Sequence, residues 1–195
     1  MNPDSPQAHE ESAAASAGQP GGNGASGPSV LVGPPALDQH TPLLALLEQG
    51  LASEQGGSSV EAPALAGKAV DFASRGYHVE MTVAPERVVL AAQLMDSSGF
   101  ALDTITGVDW LAEGQMELLY DYFHPESPTR VLVRCRVPRA APEAPTISAV
   151  FPGANWHERE THEFLGIRFQ GHPNLTPFLL PEDADYHPLR KDYAA

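Results

Sequence analysis

Very little of this 195-residue chain is cysteine, and the early part has no fixed positive charge. The lone Cys135 excludes an internal disulfide and any cysteine-built zinc or iron–sulfur site. No Lys or Arg precedes Lys68, whereas Asp4, Glu10, Glu11, Asp38, Glu48, Glu54 and Glu61 do, so half of the net charge of −14 sits in the first third. Without clustered Lys/Arg a chain has no footprint for phosphate backbones, and no nucleic-acid partner is expected. No run approaches the roughly 20 apolar residues of a membrane span. The first residues have no basic region leading into an apolar core, so no secretory signal is expected. Also missing are G-x-G-x-x-G, a P-loop and a G-x-S-x-G elbow. Together these absences predict a soluble protein of a reducing compartment, reaching a membrane only through a partner.

What is present falls into four stretches. Residues 1–38 are Ala, Gly, Ser, Pro, Asn and Gln with scattered acids, too poor in large apolar groups to offset ordering entropy, and are expected to be a disordered tail. Residues 39–67 should hold one short helix, with Leu43, Leu46, Leu47 and Leu51 at helical spacing, and then a linker, "QGGSSVEAPALAG". Residues 68–167 read as the folded domain. "HVEMTV" alternates as a strand, and Pro85 opens a helix whose stripe is Val88, Ala91, Ala92 and Met95, ending at Ser98-Gly99. "FALDTITGVDW" suits a strand, and 116–123 with 129–137 suit a hairpin across "HPESP". Cys135 falls on the apolar face of that hairpin, as a small core residue. This order predicts an α+β domain with a mixed, largely antiparallel sheet and flanking helices. Residues 168–195 form the fourth stretch, an extended arm: Pro173, Pro177, Pro181 and Pro188 forbid a useful helix, yet Phe169, Leu175, Phe178, Leu179, Leu180, Tyr186, Leu189 and Tyr193 are too apolar to be left in water. Such an arm either wraps its own domain or lies on another protein.

The densest chemistry is "NWHERETHEFLGIRFQGHP", 155–173. Asn155 three residues before Glu158 reads as an N-cap with a capping-box partner, and Gly166 as the helix stop. His157 and His162 are five apart, about 140° around a helix, so they do not converge on an ion as in H-E-x-x-H. The residue three before His162 is Arg159, so E-x-x-H fails as well. Glu158 and Glu160 point to opposite sides and cannot serve one substrate as a carboxylate pair. Arg159 is expected to be held by carboxylates in a structural ring of charge. The competing class is a free-standing metal enzyme using His157, His162 and His172. Twice, in "GHPNL" and "YHPLRKD", the arm places a His before a Pro, with "FLL" between and "RK" near the end, as a docking strip would.

"NWHERETHEFLGIRFQGHPNL" followed by "LLPEDADYHPLRKDY" resembles the C-terminal signature of the C-subunit of NADH–quinone oxidoreductase, the 30-kilodalton subunit family of respiratory complex I. The resemblance spans about residues 77–193 and rests on Glu158, Arg159, Glu160, Glu163, Gly166, Ile167, Gly171, His172 and Pro173, then His187 through Asp192; "TITGVDW" also resembles the family's segment before the central hairpin. Glu163 stands where the family usually has Asp, Thr176 where Arg, Lys or Pro is common, and Tyr186 where Gly is. "LLPED" and His162 are also similar to the equivalent subunits of energy-converting hydrogenases and F420-type dehydrogenases. The resemblance implies a subunit of an NADH:quinone oxidoreductase translocase with no catalytic residue, metal or cofactor on this chain. NADH, FMN, iron–sulfur clusters and quinone would belong to partner subunits. It implies a peripheral position on the cytoplasmic face of the bacterial inner membrane, docked on the D-subunit that helps form the quinone site, near the iron–sulfur subunits B and I. The interface would use Glu158, Arg159, Glu160, Glu163, His172, Pro173, Phe178, Leu179, His187, Pro188, Arg190 and Lys191. Glu158, Arg159 and Glu160 are expected to fix the base of the arm.

Overall fold

A computed structural model describes residues 40–53 and 66–194. The expected tail, 1–38, and most of the linker lie outside the described residues. The predicted first helix is α1, Thr41–Ser53. Before β2, two short elements were not anticipated: strand β1, Ala66–Ala69, and the one-turn helix α2, Phe72–Arg75, capped by Asp71 and closed by Gly76 in the left-handed region. β2, Val79–Val83, follows, then a 3-10 turn at Pro85–Arg87 running into α3, Val88–Ser97. β3, Ala101–Trp110, β4, Gln115–Phe123, and β5, Arg130–Pro138, are the predicted strands.

The main sheet has the order β1-β2-β5-β4-β3. Its pairings are antiparallel except β2 with β5, so the sheet is mixed and largely antiparallel. Alternation decides what faces what. Val79, Met81 and Val83 of β2, Met116, Leu118, Tyr120 and Tyr122 of β4, and Val131, Val133, Cys135 and Val137 of β5 are all buried. The α3 stripe of Val88, Ala91, Ala92 and Met95 and the α1 residues Leu47 and Leu51 join the same core. Thus α1 is part of the folded body rather than an appendage of it. Burial pushes the Cys135 thiol up to about 12, consistent with a core residue and not a nucleophile.

A second, two-stranded sheet pairs β6, Glu143–Pro145, in parallel with β7, Arg168–Gln170. Between them lies helix α4, Ala154–Leu165. It closes on β3 at Gly107, where a Cβ would come within 2.3 Å of Leu165 Cδ1 and 2.8 Å of Thr161 Cγ2. A side chain there would push α4 off the sheet.

Candidate functional site: helix α4 and the arm it carries

Three stripes run along α4. Ala154, Glu158, Thr161 and Leu165 are buried toward the core. Trp156, Arg159 and Glu163, at spacings of three and four, face the arm. Glu160 and Phe164 line a shallow groove with Leu189 and the β3 residues Thr104–Gly107.

The helix does not begin as expected. Gly153 is the N-cap and makes no side-chain cap bond, and Asn155 already lies inside the helix. Glu158 does not reach back to the helix start because its carboxylate is used elsewhere. Its Oε1 accepts the Ile147 N–H at 2.8 Å and its Oε2 bonds the Thr146 hydroxyl. Burial pushes this carboxyl up to about 7, against the lowering effect of those two donors. His172 Nε2 stands 3.7 Å from Glu158 Oε2, both side chains being fully enclosed.

Among the described residues Arg159 is not held by carboxylates. Its Nε donates to the Thr176 carbonyl at 2.8 Å and its Nη2 to the Pro177 carbonyl at 3.1 Å. The guanidinium also lies 5.1 Å from the ring centres of both Trp156 and Phe178. One turn on, the Glu163 carboxylate accepts three successive backbone N–H groups, from Phe178 (2.9 Å), Leu179 (3.1 Å) and Leu180 (3.2 Å). A carboxylate can fill such a row because it is acceptor-only, with two oxygens. Arg159 and Glu163 therefore clamp the middle of the arm, taking its carbonyls and its amides respectively. Glu160 is exposed and, among the described residues, makes no hydrogen bond to the arm, so the expected trio at the base of the arm is replaced by Arg159 with Glu163.

Gly166, at φ 77°, ends α4 as predicted. A helix leaves its last carbonyls without intrahelical donors. Here the Gly166 N–H takes the His162 carbonyl, His187 Nδ1 the Glu163 carbonyl at 2.9 Å, the Leu189 N–H the Phe164 carbonyl at 3.1 Å, and Arg190 Nε the Leu165 carbonyl at 2.7 Å. "HPLR" is thus a C-terminal cap supplied from more than twenty residues downstream. The next residue, Lys191, donates its backbone N–H to Asp109 Oδ2 at 2.8 Å. Asp109 also takes Arg139 in two bonds of 2.8 and 3.0 Å, and Arg139 reaches on to Asp192. The Arg139 guanidinium and the Lys191 amide hold the Asp109 carboxyl below its usual range, against its burial.

Of the sequence-predicted site residues, Glu158, Arg159, Glu163, His172, Phe178, Leu179, His187, Arg190 and the Lys191 backbone come together along α4. Pro173 is exposed and Pro188 half-buried, each fixing the backbone beside its His. Asp109, Arg139 and Asp192 complete the arm's fastening and were not among the expected interface residues, although Asp109 and Asp192 lie within the motifs that carry the resemblance. The available signal was an Asp on the inward register of β3, in line with Ile105 and Gly107. Among the described residues no three His, Cys, Asp or Glu side chains are grouped to hold a metal ion. His162 Nδ1 meets the Ile167 carbonyl, and His172 accepts the Asn174 N–H at Nδ1 while its Nε2 faces the Asn155 carbonyl.

The family described as "Respiratory-chain NADH dehydrogenase, 30 Kd subunit" matches residues 81–195, more than half of the chain. The chain belongs to that family. It is 40% identical over 115 residues to the C-subunit of NADH-quinone oxidoreductase from Roseiflexus sp. (strain RS-1), covering 56% of this chain and 66% of that protein. It is 40% identical over 93 residues to the C-subunit of F(420)H(2) dehydrogenase from Methanosarcina mazei, covering 47% and 59%. The aligned region thus spans just under two thirds of the first relative and less of the second. Among solved structures, a chain of the membrane-bound sulfane sulfur reductase, an archaeal respiratory membrane complex, superposes with a TM-score of 0.64 and 26% identity over 80% of this chain and 86% of that one. Among the described residues no helix is long and apolar enough to cross a membrane.

Proposed function

We propose that this chain is a non-catalytic peripheral subunit of a proton-translocating NADH:quinone oxidoreductase, docked on the quinone-site D-subunit at the cytoplasmic face of the membrane. NADH, FMN, the iron–sulfur clusters and quinone would be carried by its neighbours, subunits B and I among them. The observation supporting this is how the arm divides its groups. Backbone groups of residues 176–180, 189 and 191 bond α4 and Asp109. Phe169 and Leu175 at the start of the arm pack on the core, but beyond them large apolar side chains face outward: Leu179 is 57% exposed and Leu189 60%, beside Trp156 at 57%. Trp156 and Phe178 meet edge-to-face at 5.5 Å, and Tyr186 stacks on Tyr193 at 5.8 Å. An apolar strip held rigid before binding loses little entropy when a partner covers it.

A second reading is favoured by the Methanosarcina relative and the sulfane sulfur reductase fold: the same docking role in a sister complex fed by another electron donor. Affinity purification of the tagged chain from detergent-solubilised membranes, with assay of NADH oxidation, separates the two. Recovery of the quinone-site partner with NADH–quinone activity supports the first reading. Recovery of a hydrogenase- or F420-type partner set supports the second, and a chain recovered alone defeats both. Arg159→Ala, which frees the carbonyls of Thr176 and Pro177, is expected to reduce recovery of the partner while circular dichroism shows an unchanged fold.

A further inference from the structure

The docking surface makes no use of the buried interior of α4, yet a carboxyl is placed there without a counter-charge. Glu158 is among the largest fully buried side chains of the fold, at 0% exposure. No Lys or Arg pairs with it among the described residues. The groups that face it come from three other elements. From the turn after β6 come the Ile147 N–H and the hydroxyl of Thr146; from β4, Tyr120 and Tyr122; from the arm, His172. Both tyrosine hydroxyls are buried with no hydrogen-bond partner among the described residues, and both phenols are held protonated by burial. His172 cannot supply a positive charge either. Its Nδ1 accepts the Asn174 N–H at 3.1 Å and its Nε2 faces the Asn155 carbonyl at 3.3 Å, so the ring is the neutral Nε2–H tautomer.

The hydroxyls beside the carboxyl form a chain that runs to the surface. Thr146 Oγ1 bonds Glu158 Oε2 on one side and lies 2.8 Å from Ser148 Oγ on the other, and Thr146 and Ser148 are both partly exposed. One hydroxyl has one proton to donate. When Glu158 is neutral, it donates to Thr146, which donates to Ser148. When Glu158 is ionised, both donors reverse: Ser148 donates to Thr146, which donates to Glu158. Passing between the two states moves the carboxyl proton to Thr146, the Thr146 proton to Ser148 and the Ser148 proton to water, with nothing left over.

We propose that Glu158 is an internal proton-binding site of this fold, in exchange with solvent along the Thr146–Ser148 hydroxyl pair. A carboxyl that prefers its proton in the folded state binds more protons there than in the unfolded chain between the ordinary carboxyl value, 4.5, and its own, about 7. Its contribution to stability is therefore unpenalised below the lower value, falls as pH rises through that window, and stays low above it. The site lies in the interior of the chain, beside His172 of the arm.

The test is 13C NMR of the glutamate side-chain carboxyls in the full chain, from about pH 5.5 to about pH 9, clear of the isoelectric point near 4.8. Glu158→Gln assigns the resonance. A carboxyl titrating near pH 7 that is absent in the variant supports the site; a Glu158 already ionised across the whole range overturns it. If the variant fails to fold, Thr146→Val assigns the signal instead. Because it removes a donor to the anion, Thr146→Val is expected to raise the midpoint, and an unchanged midpoint would rule out the hydroxyl chain.

Discussion

On the outward face of the main sheet Arg130, Arg134 and Arg136 pair with side-chain carboxylates, whereas on the arm side Arg159 and Arg190 donate to backbone carbonyls. Arg130 meets Asp121 at 2.9 Å and also Asp103, Arg134 meets Glu117 at 3.3 Å and Glu80 at 3.4 Å, and Arg136 meets Glu117 at 3.5 Å and also Glu113. These ladders lie between cross-strand neighbours already joined by the sheet, and most of their members touch water. The most exposed of them, Arg130 with Asp103 and Arg136 with Glu113, contribute little, whereas Glu117 at the centre of the ladder is buried. The arm-side arginines join segments 17 and 25 residues apart and satisfy carbonyls that have no donor within their own element. The same residue type therefore decorates one surface and fastens the other.

The largest effect that would sharpen this contrast is expected from Glu163→Ala. It strips the acceptor from three backbone N–H groups at once, and bonds to a charged group contribute about 1.5–3 kcal/mol each when protected from water. Because the freed amides can turn to solvent, we expect a net loss of about 3 kcal/mol, read as a fall in Tm of about 10 °C, with proteolysis inside 172–186. Next is Gly166→Ala. A Cβ there would lie 2.5 Å from Arg190 Nη2 and 2.6 Å from His187 Nε2, on a backbone at φ 77°. Strain and lost capping together should cost about 2 kcal/mol by urea unfolding and should raise amide exchange at Leu189. The smallest effect is expected for Arg130→Ala on the sheet face: under about 1 kcal/mol, and shrinking with added salt. A loss at Arg130 as large as that at Glu163 would break the distinction.

Elements governed by local pattern were legible in the sequence. The α3 stripe, the β4–β5 hairpin, the core placement of Cys135 and the stop at Gly166 each follow from spacing of two or 3.6, or from one glycine. Glu158 misled because a capping box and a buried acceptor look alike at Asn155–Glu158, and only the turn at Thr146–Ser148 distinguishes them. Arg159 and Glu163 read as a salt-bridged face because their partners, backbone groups of residues 176–180, have no side-chain signature. The arm itself was legible as extended and apolar. Its double character, polar edge inward and apolar edge outward, was not, since prolines fix a backbone without saying which neighbour receives its carbonyls.

In the proposed docking, the outward edge of the arm is covered by the quinone-site partner in the assembled complex. The most direct measurement places a photo-crosslinking residue at Leu179 in cells making the tagged full chain, with a matched control at Lys68 on β1, and identifies the adduct by mass spectrometry. The expected result is a strong adduct from Leu179 to the quinone-site partner, weakened by Arg159→Ala and absent from the control. An intact complex in which Leu179 yields no adduct to that partner would contradict the claim.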